Sequence, residues 1–319
     1  MSAVRARAFG LDLEAGFELP GIEGGERVGP DRPLRLRTVA PEDLPCAAGA
    51  ERIAEVAAPG GAAATVDSLG EAGYLLWAEG FGRAWVAADG GEVSCAPADL
   101  PAWRWQRFLV GQVLPFASVL RGLEAFHASA VVVGGRALAV VAGSGAGKTS
   151  LGLELALRGL PLLNDDVLVV EGDDCGGVVA HPGAGLANVR ASAAGLAERV
   201  ERAGLGRPLG AAGGEVRMAV GVHDRPVPLG FVFYLRRTAE GSSAAIERMA
   251  PVDPRLLLAS TFNLSLLQPE RLARQLDVCG RIARSCAVLR VDCPPAVDAR
   301  ALAERMHAAA LASPEPVRS

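Results

Sequence analysis

The spacing of apolar residues along the chain changes near residue 127. Before that point, short apolar segments such as residues 73–77 and 83–87 are separated by frequent Gly and Pro, which is typical of strands joined by turns. After it, longer apolar runs alternate with segments of helical period. The pattern predicts a β-rich N-terminal domain over residues 1–98, a helical connector over residues 99–126 and an α/β domain over residues 127–319.

The last of these regions is predicted to alternate strands and helices. We expect strands over residues 127–133, 137–142, 167–170, 178–180, 230–235 and 287–291. We expect helices over residues 102–121 with an interruption at Pro115, from the end of the loop that follows strand 137–142 to about Arg158, and over 254–267, 269–286 and 297–312. The helix over 269–286 has an apolar stripe formed by Leu272, Leu276, Cys279, Ile282 and Cys286. Its two cysteines are therefore interpreted as small buried hydrophobes.

Composition and charge narrow the classes of partner. The chain has 319 residues, of which 50% are hydrophobic, so it can bury a large core. A formal net charge of −4 and the lack of a Lys/Arg run argue against nucleic acid. No apolar stretch reaches the ~18 residues of a membrane-spanning helix, and residues 1–10 lack the apolar region of a signal peptide. We therefore expect a cytoplasmic protein that binds neither nucleic acid nor membranes.

A glycine-rich loop follows the predicted strand over residues 137–142. It continues from Ala142 as Gly143, Ser144, Gly145, Ala146, Gly147, Lys148, Thr149 and Ser150. This is the P-loop pattern Gly-x-x-x-x-Gly-Lys-[Ser/Thr] with Ala142 at its first position. Backbone N–H groups and a helix N-terminus in such a loop bind phosphate. We predict that residues 143–150 bind ATP, with Lys148 on the β- and γ-phosphates and the Thr149 hydroxyl on Mg²⁺; the alternative is a chance glycine-rich turn.

Two adjacent acids, Asp165 and Asp166, lie 17 and 18 residues after Lys148. Neighbouring side chains on an extended segment point to opposite sides. One carboxylate can therefore hold a metal ion while the other accepts a proton from an attacking hydroxyl; the alternative is an acidic turn before a strand. Positive charge is also needed around a transferred phosphoryl group. The candidates are Arg190, Arg236 and Arg237, of which Arg236 and Arg237 are favoured because they end a predicted buried strand.

Three blocks of the sequence resemble the HPr kinase/phosphorylase superfamily, whose nucleotide domain is similar to that of phosphoenolpyruvate carboxykinase. They are Phe126–Val131, the glycine-rich loop with the Leu155–Gly159 segment that follows it, and Asn164-Asp165-Asp166. The resemblance implies a P-loop kinase-like α/β domain preceded by the smaller β-rich domain. It also implies a catalytic set of Asp165, His127 and Lys148. In that set Asp165 is the general base toward a serine hydroxyl, His127 orients that base, and Asp166 joins Thr149 at the metal.

A weaker N-terminal block, Ala8–Leu13 followed by Glu18-Leu19-Pro20, resembles compact HPr-kinase-like proteins that modify peptides, including lasso-peptide kinases. Two later signatures of the superfamily, Glu-x-Arg-Gly-x-Gly and Pro-Val-x-Pro-Gly-Arg-Asn, are not found in this sequence. The resemblance implies an ATP- and Mg²⁺-dependent kinase whose acceptor is a serine of a peptide or protein. The alternatives are a kinase of a small hydroxyl metabolite such as free serine, and an ATP-binding regulatory module with weak activity. The sequence leaves open whether the chain forms a homo-oligomer.

Overall fold

The computed structural model describes residues 4–22, 32–57, 63–241, 243–262, 266–295 and 297–313, and the chain divides into two units. The first unit comprises Met1–Leu123 and Asn263–Arg271, and the second comprises Glu124–Phe262 and Leu272–Ser319. No helix within the described ranges is both long enough and apolar enough to cross a membrane.

Strands are the main regular secondary structure in the described part of the first unit. In chain order they are β1 Val4–Ala8, β2 Leu11–Ala15, β3 Leu34–Thr38, β4 Glu51–Ala57, β5 Ala63–Ser68, β6 Tyr74–Ala78, β7 Gly82–Val86 and β8 Glu92–Pro97. They form one sheet in the order β1-β2-β3-β8-β7-β6-β5-β4. β3 runs parallel to both β2 and β8, and the other described pairs are antiparallel. Short 3-10 turns lie at Pro41–Asp43 and Gly70–Ala72.

A helical segment follows β8, where the sequence predicts one helix over 102–121. It consists of α1 Ala102–Phe108, one π-helical turn at Leu109–Val113 and α2 Leu114–Leu120. Pro115 lies in the first turn of α2, directly after the π-helical turn in which the Leu114 N–H donates to the Leu109 carbonyl. The predicted interruption is therefore the π-helical turn just before Pro115.

The second unit is a mixed α/β structure. Its strands are β9 Glu124–Val133, β10 Arg136–Val141, β11 Leu162–Asn164, β12 Val167–Gly172, β13 Val178–His181, β14 Leu186–Arg190, β15 Gly206–Ala212, β16 Glu215–Val220, β17 Val227–Arg237, β18 Ala245–Arg248 and β19 Ala287–Cys293. Its helices are α3 Lys148–Leu157, α4 Ala194–Arg202, α5 Pro254–Ala259, α6 Pro269–Ser285, whose first three residues fall in the first unit, and α7 Ala299–Ala312, with a 3-10 turn at Ala191–Ala193. The α/β class predicted for this part of the chain is confirmed at this level.

Strands β9 to β13 and β17 to β19 pair into one connected sheet, while β14, β16 and β15 form a separate three-stranded sheet. β10 runs parallel to β17, and β17 runs parallel to β19. The hairpin predicted after the two acids is present, because β12 and β13 pair antiparallel around the 172–177 turn.

Strand β10 separates two hydrophobic cores. Leu138 and Val140 pack into the core that contains α3, α4 and α7, whereas Ala139 and Val141 pack into the core that contains α5 and α6. Alternate side chains of a strand point to opposite faces, so a strand that is apolar throughout can serve both cores. Burial on both sides of β10 fixes the point at which the chain leaves the sheet and enters the glycine-rich loop.

Pairing register brings the candidate site residues to one edge of this sheet. Val141, the last residue of β10, is opposite Ala128 of β9, and His127 is opposite Val167, the first residue of β12. The loop after β10, His127 and the two acids before β12 therefore meet at the same edge.

The helix predicted over 254–267 is shorter in the structure, where α5 ends at Ala259. The residues after it pair with the edge of β9 instead. The backbone N–H of His127 donates to the Ser260 carbonyl (2.9 Å), and the Phe262 N–H donates to the Ala125 carbonyl (2.6 Å). These bonds take residues 260–262 out of the helix, and residues 263–265 of the predicted helix lie outside the described residues.

Stability of the second unit should depend on the packing of α3. Leu155 is fully buried in the core shared by α3, α4 and α7. We expect Leu155→Ala to lower the free energy of unfolding by about 2–5 kcal/mol. The exposed Leu311→Ala on α7 should change it by less than about 0.5 kcal/mol. Urea unfolding should be followed by circular dichroism, because all four Trp residues lie between residues 77 and 105, outside this unit. Equal effects of the two variants would contradict the assigned core.

Candidate active site

The glycine-rich loop joins the end of β10 to the start of α3. Gly145 and Gly147 have φ angles of 78° and 108°, which L side chains rarely adopt. Both glycines also lie against arginines, since a Cβ at Gly145 would lie 3.0 Å from Arg190 Nη2 and one at Gly147 would lie 3.0 Å from Arg237 Nη2. The backbone conformation therefore favours glycine at both positions, and the arginine ends pack closely against them.

Lys148, the first residue of α3, folds its side chain back along the loop. Its Nζ donates to the carbonyls of Ala142 (2.9 Å) and Gly143 (3.2 Å). Burial lowers the pKa of Lys148, and Arg190 lowers it further, while Asp166 and Asp165 oppose the shift. The ammonium is thus held at the loop by neutral carbonyls and two nearby acids.

Asp165 is buried and bonded to the first turn of α3. The Thr149 hydroxyl donates to Asp165 Oδ2 (2.9 Å), whereas Asp165 Oδ1 is buried without a hydrogen-bond partner. Burial, and secondly Asp166, raise the pKa of Asp165 to about 7, and the nearby Thr149 hydroxyl, Ser129 hydroxyl and Asn188 backbone N–H oppose the rise.

Asp166 turns away from Asp165 toward His127. Its φ of 72° is unusual for a residue other than glycine but is tolerated by Asp and Asn. His127 Nδ1 lies 3.1 Å from the Asp166 carbonyl oxygen and 3.3 Å from its Oδ1. Because both are acceptors, Nδ1 carries the proton. Burial lowers the pKa of His127, although the Asp166 carboxylate opposes this shift.

The three candidate arginines have different surroundings. The guanidinium of Arg237 donates to the Ala146 carbonyl (2.9 Å) and to Cys293 Sγ (3.0 Å). Arg236 instead pairs with Asp292, with nitrogen–oxygen distances of 2.7 and 3.1 Å. Arg190 lies over Gly145. The structure thus brings Arg190 and Arg237 to the loop and commits Arg236 to an ion pair.

The structure brings Lys148, Thr149, Asp165, Asp166 and His127 together beside residues 143–147, and Ser150 lies in the first turn of α3. Three contacts were not foreseen from the sequence: those of Ser129, the Asn188 backbone and Cys293. Ser129 belongs to the Phe126–Val131 block that also contains His127, so its position near the site could have been inferred from that block. Asn188 and Cys293 gave no local signal.

The residues present fit a bound Mg²⁺. Mg²⁺ prefers oxygen ligands and binds proteins through one or two carboxylates together with phosphates and water. The Thr149 hydroxyl and the unpartnered Oδ1 of Asp165 supply oxygens beside a loop whose backbone and lysine can bind phosphate.

Comparison with known proteins finds distant similarity among solved structures. No protein-family model matches the chain, and no curated protein matches it. Among solved structures, the Hpr(Ser) kinase/phosphatase from Coxiella burnetii aligns with 59% of this chain and 99% of its own, at 12% sequence identity and a TM-score of 0.31. These values are too low to assign a function, so the superfamily membership that the motifs indicate stays a prediction.

The buried Asp165 carboxyl should make stability depend on pH. Its pKa in the folded chain, about 7, is above the unfolded value of about 3.9, so the folded state binds the extra proton between these values. The contribution of this carboxyl to the free energy of unfolding is then largest at low pH and falls as the pH rises toward 7. Asp165→Asn removes the titrating carboxyl and with it this pH dependence. In EDTA, the free energy of unfolding of the variant relative to wild type should therefore rise by at least about 1 kcal/mol from pH 5 to pH 8. Urea unfolding at both pH values measures it.

The exposed Asp174→Asn serves as the control for replacing a carboxylate. It should follow the wild-type pH dependence. If Asp165→Asn did so too, the carboxyl would not be buried as described.

Proposed function

We propose that this chain is an ATP- and Mg²⁺-dependent phosphotransferase that moves the γ-phosphoryl group to a hydroxyl, with a serine of a peptide or protein as acceptor. The observation that carries the proposal is the hydrogen bond from Thr149 to the buried Asp165 carboxylate, whose second oxygen is unpartnered. An unpaired buried carboxylate oxygen costs stability, so its place beside the Thr149 hydroxyl and the glycine-rich loop supports a site for a Mg²⁺-bound nucleotide.

Residues 143–150 form the nucleotide side of the site. The backbone N–H groups after Gly143 and the start of α3 attract the phosphates. Lys148 can exchange its two carbonyl acceptors for β- and γ-phosphate oxygens. The exchange is favourable because it replaces neutral acceptors with charged ones, and charge-assisted hydrogen bonds are the stronger ones.

Thr149 and Asp165 would hold the metal. When bound, Mg²⁺ neutralises phosphate charge and fixes the orientation of the β- and γ-phosphates. The motif resemblance implies the base role for Asp165 and the metal role for Asp166. The hydrogen bonds favour the opposite division, because Thr149 bonds to Asp165 and not to Asp166.

Asp166 and His127 form the acceptor side. The Asp166 carboxylate is about half exposed, so it can receive the proton of an incoming hydroxyl. The acceptor oxygen forms a bond to the γ-phosphorus, and the bond from that phosphorus to the β–γ bridging oxygen breaks. Its electron pair stays on ADP, and the hydroxyl proton moves to Asp166. His127 is a positioning residue, since its Nδ1–H holds the carbonyl and carboxylate of Asp166.

Transfer itself is tested by mass spectrometry of acceptors incubated with the protein and Mg²⁺-ATP. The acceptors are HPr, serine-containing peptides, and a pool of free serine and sugars. We expect the mass of one phosphoryl group on a peptide or protein serine, and its loss in Lys148→Met, which removes the charge at the loop. Labelling only in the small-molecule pool would replace the peptide acceptor by a metabolite. ATP binding with no labelled acceptor would favour a regulatory module.

The division of the two acids is tested with Asp165→Asn and Asp166→Asn. Asn tolerates the backbone of Asp166, so both variants remove charge alone. Asp166→Asn should keep the Kd for Mg²⁺-ATP within about threefold and lower the transfer rate about 10²–10⁴-fold, the usual value of a general base. Asp165→Asn should weaken ATP binding in Mg²⁺ more than in EDTA. The reverse pattern would restore the division implied by the motifs.

A further inference from the structure

Arg190 stands out among the cations near the loop because nothing in the described residues holds its guanidinium. The Arg190 side chain makes no hydrogen bond or ion pair within the described ranges, and it is exposed. In contrast, Arg237 is bonded to Ala146 and Cys293, and Lys148 to two carbonyls. Most arginines are exposed to solvent, so exposure alone does not give Arg190 a role. What indicates a role is the position of its guanidinium.

That position is over the centre of the loop. A Cβ at Gly145 would lie 3.0 Å from Nη2, 3.1 Å from Nη1 and 3.4 Å from Cζ of Arg190. Both terminal nitrogens are therefore about equally close to the position of that Cβ, so the guanidinium lies directly beside Gly145. The charge of Arg190 also reaches the Lys148 ammonium, whose pKa it helps to lower.

The element that carries Arg190 is fixed to the site at two points. Arg190 is the last residue of β14, and Val189 before it is buried in the core shared by α3, α4 and α7. The backbone N–H of Asn188 in the same strand faces the Asp165 carboxylate. After Arg190 the chain enters α4, whose Arg199 makes a bidentate bond to the buried Glu154 of α3, at 2.7 and 2.8 Å. Helix α3 and strand β14, which carries Arg190, are thus fixed relative to each other.

We infer that Arg190 is the arginine that neutralises the negative charge developing on the transferred phosphoryl group, and that Arg237 is a positioning residue for the loop. This inference rests on the proposed function. A guanidinium with all its donors free can bind two phosphoryl oxygens at once, and its bonds strengthen as charge develops in the transition state. Arg237 has already used its Nε and one Nη to hold Ala146 and Cys293.

The test measures the Kd of Mg²⁺-ADP with and without aluminium fluoride, which with ADP imitates the transferred phosphoryl group. Wild type should bind Mg²⁺-ADP more tightly with fluoride. Arg190→Ala should bind Mg²⁺-ADP alone within about threefold of wild type but lose about 10²-fold of the tightening. Arg190→Lys should keep part of it, because it retains the charge but not the planar pair of donors. The exposed Arg207→Ala, on β15 of the same three-stranded sheet, should behave as wild type.

Two results in the variants would overturn the inference alone. Full tightening by fluoride in Arg190→Ala would leave the arginine without a role in the transition state. An equal loss of affinity with and without fluoride would make it a ground-state nucleotide contact. A wild-type chain that does not bind Mg²⁺-ADP, or binds it with no tightening by fluoride, would contradict the proposed phosphotransferase function, and the inference would fall with it.

Discussion

The hydrogen bond from Thr149 to Asp165 joins the first turn of α3 to the segment that leads into β12. Taking an ionised carboxylate out of water is costly unless it is paired. Here the Thr149 hydroxyl bonds to Asp165 Oδ2 and Oδ1 has no hydrogen-bond partner, although the Ser129 hydroxyl and the Asn188 N–H lie near the carboxylate. The cost is reflected in the raised pKa of Asp165. The unfavourable free energy of burying this carboxylate must be offset by favourable packing, which the two cores on either side of β10 supply.

Those cores also explain why the site is at this edge of the sheet. β10 is apolar on both faces, so it cannot shift by one residue without exchanging the side chains of one core for those of the other. The loop that follows it is therefore fixed in register with β9. His127 and Asp166 are brought to the same edge through β9 and β12. The positive φ of Asp166 shows that this segment is not the extended one expected from the sequence, yet each acid has its own partner.

Sequence patterns predicted those parts of the site whose residues lie close together along the chain. The glycine spacing, the apolar run before it and the helix after it predict the strand–loop–helix at residues 137–158, and the glycine-rich turn predicts the hairpin of β12 and β13. The roles of the arginines could not be predicted this way, because Arg190 lies 45 residues from Gly145 along the chain and is brought to it by the sheet of β14, β15 and β16. Helix α6 shows the same limit. Its stripe predicts a buried Leu276, yet Leu276 is 58% exposed and its neighbour Gln275 is buried, where it donates a hydrogen bond to Thr261.

The candidate site is locally positive, although the chain as a whole carries a negative net charge. The chain carries a formal net charge of −4, but Lys148, Arg190 and Arg237 bring three positive charges to the loop against the two acids Asp165 and Asp166. At short range in a partly buried site, such a local excess acts more strongly than the distant charges, which solvent and salt screen. The two acids offset part of this charge, since both act on the Lys148 ammonium, but two acids do not balance three cations. The remaining positive field is therefore directed at the loop, where an incoming polyphosphate would meet it.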